Sequence, residues 1–149
     1  MLLVILFCVL LIASTTVLHF EMLRVVNRRL PALGIPGRDK MLTVIFAAFV
    51  AHAMEIAIYG LTLFLLVRYL DVGTLGGVTD VSFRNCLYFS AETYTSLGFG
   101  DLLPMGQIRL LAGTEALNGL LLIGWSVSYA YIAMERFWDI PDRRDRSSK

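Results

Sequence analysis

Charge is scarce in this chain. Asp, Glu, Lys and Arg make up 17% of 149 residues, against about 25% in an ordinary globular protein. The net charge is only +1, which argues against a protein held to nucleic acid by phosphate contacts. Cysteine is equally rare. Cys8 and Cys86 lie far apart in apolar surroundings, so there is neither a disulfide framework nor the paired spacing of a zinc finger. Also missing are an internal repeat, a low-complexity tract, a phosphate-binding glycine loop and a Ser-His-Asp set. The histidines, His19 and His52, have no catalytic partners that the topology would bring to one membrane depth. An enzyme is therefore not expected, and no cofactor is. What the chain has in excess is hydrocarbon: 57% of its residues are hydrophobic, against about 45–50% in a typical soluble chain. A domain of this size still exposes roughly 30% of its unfolded surface, so the excess must face lipid.

Three stretches are long enough to cross a bilayer: roughly 2–20, 41–70 and 108–137. A span needs about 20 mostly apolar residues; the second and third exceed this and are expected to tilt or to reach past the hydrocarbon. The first has no Lys or Arg ahead of its apolar run and no small-residue cleavage site before Glu21, so it is read as a retained span rather than a secretory signal. It also carries no repeated Arg or Lys and so is not a voltage sensor.

Basic residues set the orientation. Arg24, Arg28, Arg29, Arg38 and Lys40 lie between the first two spans, and Arg136, Arg143, Arg144, Arg146 and Lys149 follow the third. The connection between the second and third holds only Arg84, with Arg68 and Arg109 at its edges. The first linker and the C-terminal tail are thus expected in the cytoplasm and the N-terminus outside, in the cytoplasmic membrane. Pro31, Gly34, Pro36 and Gly37 make that linker a turn.

The connection from Asp71 to Gln107 is not a plain loop. It opens with a Gly-rich turret or turn, and continues as an apolar, aromatic stretch over 81–95 that is too short to span. This stretch reads as a re-entrant helix capped by Asp80 or Ser82. It runs into Thr95-Ser96-Leu97-Gly98-Phe99-Gly100-Asp101. Glycines alternating with bulky residues permit a backbone that turns successive carbonyls to one side. Such a strip at membrane depth is tolerated only when buried or lining water, and a row of carbonyls can replace the hydration shell of a cation.

The segment from Ser90 to Pro104, with Thr95, Gly98, Gly100 and Asp101 behind a short aromatic helix and between two spans, resembles the pore helix and selectivity filter of potassium channels, above all the simple bacterial two-helix type. The resemblance implies an all-α membrane protein: three transmembrane helices with a re-entrant pore helix and filter loop between the second and third, four copies forming a potassium-channel-like pore. It divides the chain into an extra N-terminal helix (1–27), a cytoplasmic linker (28–40), a pore domain (41–138) and a charged cytoplasmic tail (139–149). Within the pore domain lie an outer helix (41–70), a pore helix (81–95), a filter (96–101) and an inner helix (108–137). It implies that Ser96, Leu97, Gly98 and Phe99 hold K+ through their carbonyls and that Gly100 completes the outer mouth. Thr95 supports the filter. Glu92 and Asp101 match a carboxyl pair that meets behind it, and Tyr88 and Phe89 match its aromatic cuff. Ser96 stands where the family usually has Thr, and Phe99 where Tyr is commoner.

Polar residues inside spans are functional candidates. His52 and Glu55, and likewise Glu115 and Asn118, are spaced to share a helix face. They read either as a proton-sensing or gating cluster between outer and inner helices, or as interhelical glue. Gly119 and Gly124 read either as hinges or as sites of close packing. Leu120, Ile123, Val127 and Tyr131 follow helical spacing and are candidate cavity-lining residues. The expected function is passive, selective K+ conduction by a homotetramer in contact with lipid. The alternatives are a weakly selective cation channel and a non-conducting membrane adaptor.

Overall fold

The computed structural model describes residues 1–77 and 79–137; the tail expected over 139–149 lies outside them. The described residues form four α-helices, one 3-10 turn and one small strand pair. Helix α1 (Leu2–Arg29) has no Gly or Pro to interrupt it, and Arg28 and Arg29 in its last turn complement its C-terminal dipole. At about 1.5 Å per residue it is longer than the hydrocarbon layer is thick. A 3-10 turn (Leu30–Ala32) with Pro31 near its start ends the run. Helix α2 (Gly37–Leu70) follows directly after Pro36. The linker expected over 28–40 is therefore mostly helical, with only a short break between α1 and α2.

Helix α2 ends at Asp71, which takes the left-handed conformation with φ 47°. Strand β1 (Gly73–Gly76) then pairs antiparallel with β2 (Leu103–Gly106), Gly73 opposite Gly106 and Gly76 opposite Leu103. This pairing was not anticipated from the sequence. It is possible because the chain on each side is rich in glycine: a Cβ on Gly73 would fall 2.3 Å from the Met105 carbonyl oxygen, and Gly106 sits at φ 73°. Between the strands lies α3 (Phe83–Tyr94), capped by the Ser82 hydroxyl, which accepts the Asn85 N–H at 3.3 Å. Helix α4 (Ile108–Phe137) has the bounds expected for the inner helix.

Helices α1, α2 and α4 are each long and apolar enough to cross a membrane. Large apolar side chains such as Leu6, Val9, Phe46, Phe49, Leu117 and Leu121 are exposed, as lipid-facing helices require. Helix α1 is not a loose appendage. Its buried residues Val4, Cys8, Leu11, Thr15, His19, Leu23 and Val26 recur every three or four positions, forming one stripe against α2 and α4. Val4, Cys8 and Leu11 share a core with Tyr59, Leu63 and Leu66 of α2 and with Cys86 and Phe89 of α3.

Candidate functional site

Helix α3 dips between the spans and stops at Tyr94, and the chain beyond it is not helical. Backbone angles alternate there: Ser96 (φ 58°), Gly98 (φ 56°) and Gly100 (φ 80°) are left-handed, while Leu97 and Phe99 are not. Left-handed angles are costly for a residue with a Cβ, so the pattern selects glycine at two of the three places.

Four successive amides of this strip, Ser96 to Phe99, turn back toward α3. Ser96 N–H donates to the Thr93 carbonyl at 3.0 Å, and Leu97 and Gly98 N–H donate to the Glu92 carbonyl at 2.8 and 3.3 Å. Phe99 N–H donates to the Glu92 carboxylate at 3.2 Å. In a trans peptide the C=O points opposite to the N–H of the next residue. The carbonyls of Thr95, Ser96, Leu97 and Gly98 therefore face away from α3, and among the described residues none of them accepts a hydrogen bond. Helix α3 directs the negative end of its dipole toward the same region. The strip can thus offer unpaired oxygens to a cation.

The supporting residues are placed as follows. The Tyr88 and Phe99 rings stack, 6.5 Å apart and 7° from parallel. Phe89 instead points into the core between α1, α2 and α3, because its position on α3 is turned from the strip. Thr95 bonds its hydroxyl to the Ala91 carbonyl at 2.7 Å and so closes the end of α3. Glu92 is buried, and burial together with the Asp101 charge pushes its carboxyl above the usual range despite the Phe99 N–H bond. Asp101 accepts from the Leu102 N–H at 3.1 Å. Each of these carboxylates is satisfied by a backbone amide rather than by the other. Leu97 and Phe99 project from the subunit, 59% and 65% exposed.

On α4, Gly119 is buried against the end of α3: a Cβ there would lie 2.1 Å from the Tyr94 carbonyl oxygen. Gly124 has open space around it. Ile123 and Val127 line an apolar cavity of about 480 Å³ between α2, α4 and the C-terminus of α3, together with Phe49, His52 and Thr95. Leu120 and Tyr131 are exposed.

The polar residues read from the sequence as one set fall into three hydrogen-bonded groups. Glu115 accepts from the Ser90 hydroxyl. Asn118 donates to Thr15 at 2.8 Å and to Tyr59 at 3.3 Å. His52 and Glu55 join Tyr94, Ser126 and a residue that sequence reasoning left aside, His19. The two imidazoles, expected to have no catalytic partners at one membrane depth, meet with centroids 5.1 Å apart. His19 continues the buried stripe of α1 one turn beyond Thr15. His19, His52 and Glu55 place three metal-capable atoms within 4.8 Å of one another. Every one of those atoms already has a hydrogen-bond partner, and no buried side-chain nitrogen or oxygen is left unpaired among the described residues.

A short helix that enters between two spans, followed by a strip of backbone with outward carbonyls, defines a pore-loop membrane protein. A model of the ion channel family matches residues 40–136, and the chain belongs to that family. It is a multi-pass membrane channel and not an enzyme. The match begins after α1, which is an addition to the family unit. No curated protein and no solved structure matches the chain.

Proposed function

We propose that four copies of the chain surround one axis and pass potassium ions passively through a filter of backbone oxygens. One chain carries one strip, and a ring of coordinating carbonyls needs several. In this reading Ser96, Leu97, Gly98 and Phe99 replace the water around a dehydrating K+, and Gly100 closes the outer mouth. Ions in adjacent sites repel one another, so binding stays weak enough for release. Leu97 and Phe99, exposed on the single subunit, pack against the neighbouring copy. Positive residues place the α1–α2 turn in the cytoplasm and the N-terminus outside the cytoplasmic membrane.

The observation that carries this reading is the commitment of four consecutive amides, Ser96 to Phe99, to α3. It leaves the carbonyls of Thr95, Ser96, Leu97 and Gly98, three of them in the proposed filter, without partners at membrane depth, a state that only protein burial or an ion-filled water path tolerates. The test is flux from liposomes containing the purified protein, with potassium and sodium offered in turn. Potassium flux with sodium at background is expected. Equal flux of both would make this a weakly selective cation channel. A monomer that passes neither would make it an adaptor.

A further inference from the structure

Five polar side chains from four helices meet inside the protein. His19 comes from α1, His52 and Glu55 from α2, Tyr94 from α3 and Ser126 from α4. His19 Nδ1 lies 2.9 Å from Glu55 Oε1. His52 Nδ1 lies 3.1 Å from Glu55 Oε2 and 2.9 Å from the Tyr94 hydroxyl, and that hydroxyl donates to Glu55 Oε2. The Nε2 atoms of both rings reach one oxygen, Ser126 Oγ, at 3.2 Å from His19 and 3.0 Å from His52. His19, Glu55 and Tyr94 are wholly shielded from solvent.

This geometry fixes a proton count. A hydroxyl donates one hydrogen, so Ser126 can satisfy only one ring nitrogen that lacks a proton. With Glu55 ionised and both imidazoles neutral, one acceptor always lacks a donor: if each Nδ1–H donates to Glu55, it is one Nε2; if His52 carries its proton on Nε2 and Tyr94 turns its hydroxyl to His52 Nδ1, it is Glu55 Oε2. One further proton removes the defect. Placed on a ring, it makes an imidazolium that donates to Ser126 while Ser126 donates to the other ring. Placed on Glu55, it makes a carboxylic acid that donates to one Nδ1, and that ring then donates to Ser126 from Nε2. Both arrangements are saturated and electrically neutral, and neutrality matters at this depth because an unpaired buried charge is costly.

We propose that His19, His52, Glu55, Tyr94 and Ser126 form a single proton-binding site that locks α1 to the root of the filter. Tyr94 ends α3 and its carbonyl rests on Gly119, so the site holds the helix from which the filter strip hangs. Loss of the shared proton leaves Glu55 uncompensated and one acceptor of the site unsatisfied, and the link from α1 through Glu55 to Tyr94 loosens. The other titratable groups near Tyr94 are Glu115 and Tyr59, occupied by Ser90 and Asn118; α4 contributes no charged group to the site itself, only Ser126 and the Trp125 indole beside His19.

The flux consequence rests on the conduction reading above; the proton site does not. Potassium flux from liposomes, with pH equal on both sides, should fall by at least about fivefold between about pH 5.5 and about pH 8.5, within the range of ordinary coupling between sites. Glu55→Gln supplies a permanent donor and acceptor in place of the titrating carboxyl, so it should hold flux near the acid level across that range. A Glu55→Gln protein that keeps the wild-type pH profile, or a wild-type flux without one, overturns the coupling. The chain has two histidines, so nitrogen-15 histidine spectra report on this site alone. Both rings should change proton signature in one shared step in the wild type, and that step should vanish in Glu55→Gln. Two rings titrating independently overturn the proposal even if Glu55→Gln fails to assemble. Spectra with the shared step, in a protein that passes no potassium, refute the conduction reading and leave the proton site standing.

Discussion

Gly119 and the carbonyl of Tyr94 are in direct backbone contact: the inner helix touches the end of α3 at a point where a single added carbon would stand 2.1 Å from that oxygen. The blocking atoms are backbone, which cannot rotate aside. Gly119→Ala is therefore expected to push α3 off α4, at a cost of about 1–3 kcal/mol typical of overpacking, and to shift the filter strip with it. Gly124→Ala, with open space around it in the subunit, should leave the subunit's stability within about 0.5 kcal/mol. Denaturant midpoints of the two variants in detergent, compared with wild type, measure the difference.

Gly98 and Gly100 face a different penalty. Neither has a neighbour within 4 Å, yet both have positive φ, which costs an L-residue roughly 1–2 kcal/mol. Gly98→Ala or Gly100→Ala should return that backbone toward the right-handed side and rotate its carbonyls off their common direction. Potassium flux is expected to vanish while assembly, followed by the mass of the detergent-solubilised particle, stays intact. Unchanged flux would remove these residues from the conduction path.

Glu92 gives a pH dependence whose sign follows from its raised carboxyl. A carboxyl that ionises less readily in the folded protein than in the unfolded chain weakens the fold as it is ionised. Its contribution is most favourable below the ordinary glutamate range and declines as pH rises through the elevated value. The thermal midpoint should therefore drop over that window, and Glu92→Gln, which can still accept the Phe99 N–H, should flatten the drop. Glu92→Ala removes the acceptor and should leave the Phe99 amide unpaired, with a faster loss of flux during sustained conduction.

Thr15 and Asn118 test how firmly α1 is fastened. Thr15→Val keeps the shape but deletes the acceptor of the Asn118 side chain. A loss of about 0.6–2 kcal/mol is expected for one interhelical hydrogen bond in a membrane protein, read as the shift in the unfolding midpoint. No change would mean that Asn118 is held by Tyr59 alone.

The spans, the re-entrant helix and the inner-helix bounds were legible because each depends on local features: apolar run length, a capping Ser82, and breaks at Pro31, Pro36 and the glycines. The non-helical strip after α3 was legible because its alternating glycines permit the left-handed angles found at Gly98 and Gly100. The direction of Phe89, which lies in the core between the helices, could not be read locally, since one residue along a helix turns a side chain by about 100° and only the packing decides which neighbour faces the strip. The β1–β2 pair escaped because strands as short as Gly73–Gly76 and Leu103–Gly106 have no periodicity to detect. His19 escaped for another reason. Its partners lie in α2 and α4, far along the chain, and nothing in local spacing tells which stripe of α1 meets which face of the other helices.

The strand pair gives this end of the molecule a property that neither helix supplies. Gly76 and Leu103 are held side by side, so all the chain between them, α3 and the filter strip included, hangs as a closed loop from one clasp. With its ends already joined, the loop has lost much of the freedom an open segment would keep. A change in tilt of α2 or α4 here must move both strands as one piece, and so reaches the carbonyl strip as a displacement of the whole suspended unit rather than as a stretch between its ends.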